Sequence, residues 1–407
     1  MIYRLEVENF FSIRDQQVLD LTIAPNVSDP DGRYAPIFLG SDLRAPKVIA
    51  FYGANASGKT NLLKALEFAV GVLRDSAQRA APGFPCERFN DQASCSRPIR
   101  IAVELGGIMD LSQDALDRAR AGEAVEYGVY RYELSNDVED GVATKVASEA
   151  LRQKPSGHGK WQRVFERDGQ GQVKGSKFFS LTGFHHLLNT LRPNVSVLSS
   201  FALFEHPAAK LWIDIARKAW FQFGGSGAGQ DKPVIDFLAS HPNLLDELNK
   251  ELSRIDVGVE SMRLEQTVNG PEPRFRHAGL QVEMPWLLES HGTRSFIRMF
   301  PALAVTLSQG GVCVIDEFDA SIHPLVLPEI MRWFYAKPKN AYDAQLWFSC
   351  HSVSLLDDLT KEEIVICEKD REGRTTAHSL MDIKVRRDEN LYRKYLSGAY
   401  GGILHIG

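Results

Sequence analysis

The stretch GANASGKTN, residues 53–61, decides the fold. Gly53, Gly58, Lys59 and Thr60 satisfy G-x-x-x-x-G-K-[ST]. The apolar run Val48, Ile49, Ala50, Phe51, Tyr52 precedes them, and Leu62, Leu63 and Leu66 follow. That order reads as strand, glycine loop, helix. Holding a polyphosphate calls for these residue types: converging backbone N–H groups bind the anion, and glycine lets the chain bend close with no Cβ in the way. Gly53, Ala54, Asn55, Ala56, Ser57, Gly58 and Asn61 would form the cradle, Lys59 would reach the β- and γ-phosphates, and the Thr60 hydroxyl would hold Mg²⁺. Leu62, Leu66, Ala69 and Leu73 share one face of the helix, whose positive N-terminal end then points at the anion. A glycine turn with no ligand is the plain alternative, and the flanking strand and helix argue against it.

A second segment supplies carboxylates. GVCVIDEFDASIHP, residues 311–324, carries four apolar residues and then Asp316 and Glu317. At a strand end beside a phosphate loop, Asp316 can join the Mg²⁺ shell and Glu317 can orient or deprotonate a water. AQLWFSCH, residues 344–351, ends a further strand in His351; a lone histidine is more often structural, but one at this strand end can reach a γ-phosphate as a hydrogen-bond donor. Lys59 and Asp316 lie much farther apart in sequence than the equivalent pair of a small kinase or GTPase. LNKEL, residues 248–252, lacks the aspartate of a guanine motif.

Around these segments the pattern is mixed α/β. Two strands open the chain, and a polar loop runs to Pro46. Period-two runs between Arg97 and Val173 predict an antiparallel lobe with a helix near residues 114–120. Residues 176–255 read as helical, with Leu211, Ile215 and Ala219 on one face and Leu245, Leu248, Leu252 and Ile255 on another. GGSGAG, residues 224–229, joins them flexibly. From Met284 strands and helices alternate again. The expected division is 1–175 for the phosphate loop and β lobe, 176–255 for a helical insertion, and 256–407 for the remaining α/β part.

With 407 residues, 44% hydrophobic content and a net charge of -5, the chain reads as a globular protein with no overall basic balance for nucleic acid. KVRRDENLYRKYL, residues 384–396, is its best basic cluster, but Asp388 and Glu389 interrupt it, and a solvated face is the plainer reading. No apolar run is long enough for a bilayer, and the strand-like N-terminus lacks a signal-peptide core, so a cytoplasmic site is expected. The five cysteines match no zinc spacing; Cys86, Cys95, Cys313 and Cys367 read as structural, and Cys350, beside His351, has the slightest redox prospect.

Taken in order, GANASGKT, LESHGTRSF, VCVIDEFDASIHP and WFSCHS resemble the ABC-type ATPases of the SMC and overcoming-lysogenisation-defect (OLD) branch. Together with IYRLEVENFFSIRD at the start and YLSGAYGGILHI at the end, they look most like the stand-alone ATPases of the RloA and abortive-infection type. That resemblance implies a phosphate-loop ATPase of ABC type with an antiparallel β lobe and a helical insertion, using ATP and Mg²⁺. It implies a homodimer or higher homo-oligomer in which Ser290, Gly292 and Thr293 form a degenerate signature for the partner's nucleotide, Asp319 and Ser321 lie in the D-loop at the seam, and His351 is the switch histidine. A helix cap explains Ser290 equally well. Gln92 is a poor candidate for the Q-loop. The tail near Leu404, where relatives often have proline, is given no role. The resemblance further implies a bacterial anti-phage sensor that controls a separately encoded, nuclease-like effector. A nucleotide-switched scaffold and a DNA-repair ATPase are the rivals; direct nucleic-acid binding stays open, and no nuclease constellation is visible in the chain.

Overall fold

The computed structural model describes residues 1–407 apart from 80–82, 111, 122, 225–230, 256–257, 386–388 and 404–407. Strands β1 (Ile2–Glu8), β2 (Gln17–Asp20), β3 (Tyr34–Pro36), β4 (Arg44–Pro46) and β5 (Val48–Tyr52) lead into α1 (Lys59–Asp75). Then come β6 (Ile99–Ile108), α2 (Gln113–Arg120), β7 (Tyr127–Glu139), β8 (Val142–Pro155), β9 (Gln162–Arg167) and β10 (Val173–Lys174). The middle holds α3 (His185–Leu188), α4 (Val197–Leu203), α5 (Pro207–Ala216), β11 (Ala219–Gln222), α6 (Asp231–Ser240) and α7 (Pro242–Ile255). The last part holds β12 (Val259–Thr267), β13 (Gly270–His277), β14 (Met284–Pro285), α8 (His291–Gln309), β15 (Val312–Ile315), α9 (Val326–Tyr335), β16 (Gln345–Ser349), β17 (Ile364–Lys369), β18 (Thr375–Ser379) and α10 (Leu391–Leu396).

The central sheet runs β11-β15-β16-β5-β17-β18, parallel except for β18. Its middle strands are apolar throughout because helices cover both faces. Side chains alternate across a strand, which divides them between two cores. Ile49, Phe51, Val312, Val314, Trp347, Val365 and Cys367 face α1 and the antiparallel lobe. Val48, Ala50, Tyr52, Cys313, Ile315, Leu346, Phe348, Ile364 and Ile366 face α8 and α9. The helices α1 and α8 therefore lie on opposite sides of the sheet.

The lobe is an antiparallel sheet in the order β10-β9-β8-β7-β6-β1-β2. Leu5, Val7, Ile101, Val103, Tyr130, Tyr132 and Leu134 point inward onto the first core. The alternate positions point outward and pair along and across strands: Arg4 with Glu6 and Asp20, Arg131 with Glu6, Glu104 and Glu133, and Arg152 with Glu133 and Glu166.

Residues 176–255 differ from an all-helical segment. Ala219–Gln222 pairs in parallel with β15 and forms the edge of the central sheet. Four residues are too few for period two to stand out between helices. The helix before it ends at Ala216 and buries Ala209, Trp212, Ile213 and Ala216, so its inner stripe is not Leu211, Ile215 and Ala219. In α7, Leu248 and Leu252 are buried. Residues 225–229 of the glycine-rich link lie outside the described residues. Among the described residues no helix is long and apolar enough to cross a membrane.

Candidate nucleotide site

At the end of β5 the chain turns sharply. Gly53 has φ +149, and a Cβ there would sit 2.2 Å from the Cys367 carbonyl oxygen; Gly58 has φ +103, and a Cβ there would meet Thr375 Oγ1 at 2.2 Å. Only glycine fits either position. Gly58 is the N-cap of α1 and makes no side-chain cap, and the first helical turn contains no acidic residue. Lys59 is buried, with Nζ donating to the carbonyls of Gly53 at 2.9 Å and Ala54 at 3.1 Å. Burial pushes its ammonium below the usual range, and the Cys367, Asp316 and Asp319 side chains pull the other way. Ser57 Oγ is buried and has no hydrogen-bond partner.

The Thr60 hydroxyl lies 3.0 Å from each carboxylate oxygen of Asp316, joining the phosphate loop to the end of β15. Ser349, the last residue of β16, donates its hydroxyl proton to Asp316 Oδ1 and accepts the Glu317 N–H at 2.8 Å. Glu317 is exposed and sits at φ +53, a left-handed conformation uncommon for a non-glycine residue, which turns its side chain away from the strand direction. The His351 N–H donates to Asp319 Oδ2 at 3.0 Å, and its ring is at the surface. So Lys59, Thr60, Asp316, Glu317 and His351 come together at the carboxyl ends of three adjacent parallel strands, where ligands bind open α/β sheets.

The fold also brings in residues that the sequence does not single out. Gln222 ends β11 opposite Ile315, and its carbonyl accepts the Asp316 N–H at 2.9 Å. Gln92 lies exposed in the turn before β6. A directed chain of hydrogen bonds runs from Asn61 Nδ2 to Ser12 Oγ at 2.7 Å, on to Thr375 Oγ1 at 2.7 Å, and ends at the Ser57 carbonyl at 2.9 Å. It ties the phosphate loop to the β1–β2 turn and to β18.

Ser290, Gly292 and Thr293 are placed elsewhere. Ser290 is the N-cap of α8, its Oγ accepting the Thr293 N–H at 3.0 Å. A Cβ on Gly292 would lie 2.8 Å from the Ser321 carbonyl oxygen, so the segment is packed on the turn after Asp319. Helix α8 has 19 residues, about 28 Å at 1.5 Å per residue. Four-residue β15 spans only about 13 Å. Only Gly310 and Gly311 link them, so the N-terminus of α8 reaches beyond the carboxyl edge of the sheet, on the face opposite α1.

The residues fit a nucleoside polyphosphate. Gly53 and Gly58 let the loop pack against Cys367 and Thr375 in conformations no Cβ tolerates, the Ser57 hydroxyl lacks a partner, and the uncapped helix start favours an anion. Thr60 and Asp316 supply hard oxygen donors of the kind Mg²⁺ takes alongside phosphate oxygens. Among the described residues no group of three or more His, Cys, Asp or Glu side chains is arranged to hold a metal unaided. Redox chemistry at Cys350 is not supported, since it is buried and its thiol is pushed upward by burial; burial likewise raises Cys313 and Cys367 to about 12, while Cys95 is exposed.

No curated protein matches this chain. Among solved structures it is similar to an SmcHead bound to the C-winged helix domain of ScpA, with 14% identity over 94% of this chain and 99% of that one and a TM-score of 0.45. It is also similar to the SMC head domain from Thermotoga maritima, with 11% identity over 94% and 99% and a TM-score of 0.40. A third is an Smc head domain with an extended coiled coil bound to the C-terminal domain of ScpA derived from Pyrococcus furiosus, with 12% identity over 94% and 97% and a TM-score of 0.41. Likenesses this distant bear on neither activity nor partners. A family model, in contrast, matches residues 48–101 and 129–357, more than half of the chain, with the phosphate loop, the carboxylate strand and His351 all inside the matched residues. The chain is a member of the AAA family described as "AAA domain, putative AbiEii toxin, Type IV TA system".

Proposed function

We propose that this protein hydrolyses ATP at a site completed by a second copy of itself. The observation that carries the reading is the Thr60 hydroxyl lying 3.0 Å from both Asp316 oxygens, with Lys59 in the glycine cradle and Glu317 next in sequence. Bound MgATP supplies the electrophilic phosphorus and a cation that offsets its charge. Lys59 exchanges its two loop carbonyls for phosphate oxygens, and Thr60 with Asp316 holds the cation. Glu317 accepts the proton of the attacking water, and His351 donates to the γ-phosphate. The N-terminus of α8 faces away from the subunit's own α1, which supports Ser290, Gly292 and Thr293 acting on the nucleotide of the partner, where helix N–H groups meet the terminal phosphate.

The motifs resemble the OLD and RloA branch, and the family description names a toxin of a type IV toxin–antitoxin system. The motif resemblance supports a regulatory ATPase of bacterial anti-phage defence that controls a separately encoded nuclease-like effector. Glu317 beside Asp316 favours turnover over a scaffold that only binds. The deciding experiment compares Glu317→Gln with wild type: MgATP binding is retained and phosphate release is lost. Wild-type phosphate release by that variant would remove Glu317 from the chemistry.

A further inference from the structure

The C-terminal run YLSGAYGG, residues 395–402, ends against the first glycine of the phosphate loop. Gly53 is confined from two sides. On one side is the Cys367 carbonyl of β17; on the other, a Cβ at Gly402 would lie 3.3 Å from Gly53 Cα and 2.9 Å from Ile366 Cγ2. Gly401 and Gly402 have φ +78 and +70, conformations in which an L side chain is strained. The Gly402 N–H donates to Glu368 Oε1 at 3.0 Å, and a Cβ on Gly401 would enter that carboxylate at 2.4 Å. Tyr395 closes the arrangement. Its buried hydroxyl donates to the Gly402 carbonyl at 3.0 Å, and its ring packs edge-on against Tyr52, the residue before Gly53, with centroids 5.8 Å apart. That hydroxyl bridges α10 to Gly402, the residue packed on Gly53.

We infer that the turn of residues 395–402 is a positioning element of the nucleotide site: Tyr395 and Gly402 fix the backbone of Gly53, so nucleotide affinity depends on this turn being seated on β17, and bound nucleotide holds it there in return. The inference rests on the reading of residues 53–61 as a nucleotide site. Neither residue touches phosphate; both act through Gly53. A preorganised loop loses less conformational freedom on binding than one whose first glycine is released. Linkage makes the effect reciprocal, so what loosens the turn weakens the nucleotide, and the nucleotide tightens the turn by the same factor. A segment more than 300 residues away in sequence thereby reports on occupancy of the phosphate loop.

The test uses the full chain. Binding of a fluorescent ATP analogue with Mg²⁺ is measured for wild type, Lys59→Ala, Tyr395→Phe and Gly402→Val, with thermal midpoints taken without nucleotide. Tyr395→Phe keeps the ring and removes the bridge; it is expected to weaken binding about tenfold while moving the midpoint by no more than about 3 °C. Gly402→Val is expected to weaken binding further. In wild type, amide exchange across residues 395–402 should slow several-fold when a non-hydrolysable ATP analogue is bound. Wild-type affinity in Tyr395→Phe, or exchange at 395–402 indifferent to nucleotide, overturns the inference. These two measurements decide it even if Gly402→Val does not fold. Absence of nucleotide binding by wild type would overturn the nucleotide site itself, a distinguishable result.

Discussion

If each nucleotide is shared between two copies, a subunit with a broken phosphate loop and a subunit with a broken signature should rescue each other. The structure governs which signature residue to change. Gly292→Asp is unsuitable, because its Cβ alone would lie 2.8 Å from the Ser321 carbonyl oxygen and would disturb its own subunit. His291 is exposed in the first turn of α8, where a carboxylate is favourable to the helix itself. His291→Glu therefore leaves the monomer sound while placing a negative charge where the partner's γ-phosphate is to approach. At a separation of about 6 Å and an effective dielectric of about 20, each unit of like charge costs about 3 kcal/mol, enough to cut binding by more than a hundredfold. Lys59→Ala alone and His291→Glu alone are each expected to be inactive. In a 1:1 mixture allowed to exchange, about half the dimers are mixed and one of their two sites is intact, so about a quarter of wild-type phosphate release returns when the sites act independently. Release is followed by a coupled phosphate assay, and subunit exchange by native mass spectrometry. Wild-type turnover by His291→Glu alone would refute the shared site, and no recovery in a mixture whose mixed dimers are seen would refute independently acting shared sites.

Further tests address single residues. Lys59→Ala should abolish MgATP binding in an equilibrium titration while changing unfolding stability by only about 1 kcal/mol, since it removes two hydrogen bonds together with a desolvated charge. Because burial lowers the Lys59 pKa, nucleotide affinity should fall as pH rises at a lower pH than an unperturbed lysine would give, a trend that titrations across the alkaline range would reveal. Glu317→Gln should slow steady-state hydrolysis by about 10² to 10⁴ with unchanged affinity. In the lobe, hydrogen bonding to Arg131 holds Glu6 down to about 2 from an ordinary 4.5. Its contribution to stability is thus present above pH 4.5 and lost as pH falls toward 2, and Arg131→Met should flatten the acid limb of a thermal-melt profile.

The phosphate loop and its flanking elements were legible because their information is local: glycines at fixed offsets between an apolar strand and an amphipathic helix. Asp316 and Glu317 were legible for the same reason, at the end of a four-residue apolar run. The antiparallel lobe declared itself through period two on strands half exposed to water. Gln222 did not, because β11 is a short strand whose neighbour, β15, lies far along the chain. Ser349, Ser12 and Thr375 are ordinary hydroxyl residues until folding aligns them with Asp316, Asn61 and Ser57. Tyr395 and Gly402 were hidden by distance; the tail at Leu404, given no role, lies outside the described residues. For the signature, a helix cap and a partner-facing motif use the same residues, and the cap geometry of Ser290 is what a single subunit displays. Of the basic cluster, Arg386, Arg387 and Asp388 lie outside the described residues, while Arg393 and Lys394 sit in the last turn of α10.

The outward face of the lobe bears on the rival in which DNA is bound directly. Two of its arginines are matched in place: Arg131 lies within 2.8 Å of oxygens from Glu6, Glu104 and Glu133, and Arg152 bridges Glu133 and Glu166. Polyanion binding draws its affinity from cations that displace condensed counterions, and guanidinium groups already neutralised by carboxylates displace few. A duplex laid across this sheet would gain little from salt release and would bring its phosphates against the interleaved glutamates. Any association there is expected to be weak and nearly flat in ionic strength, which a salt titration of duplex binding would check.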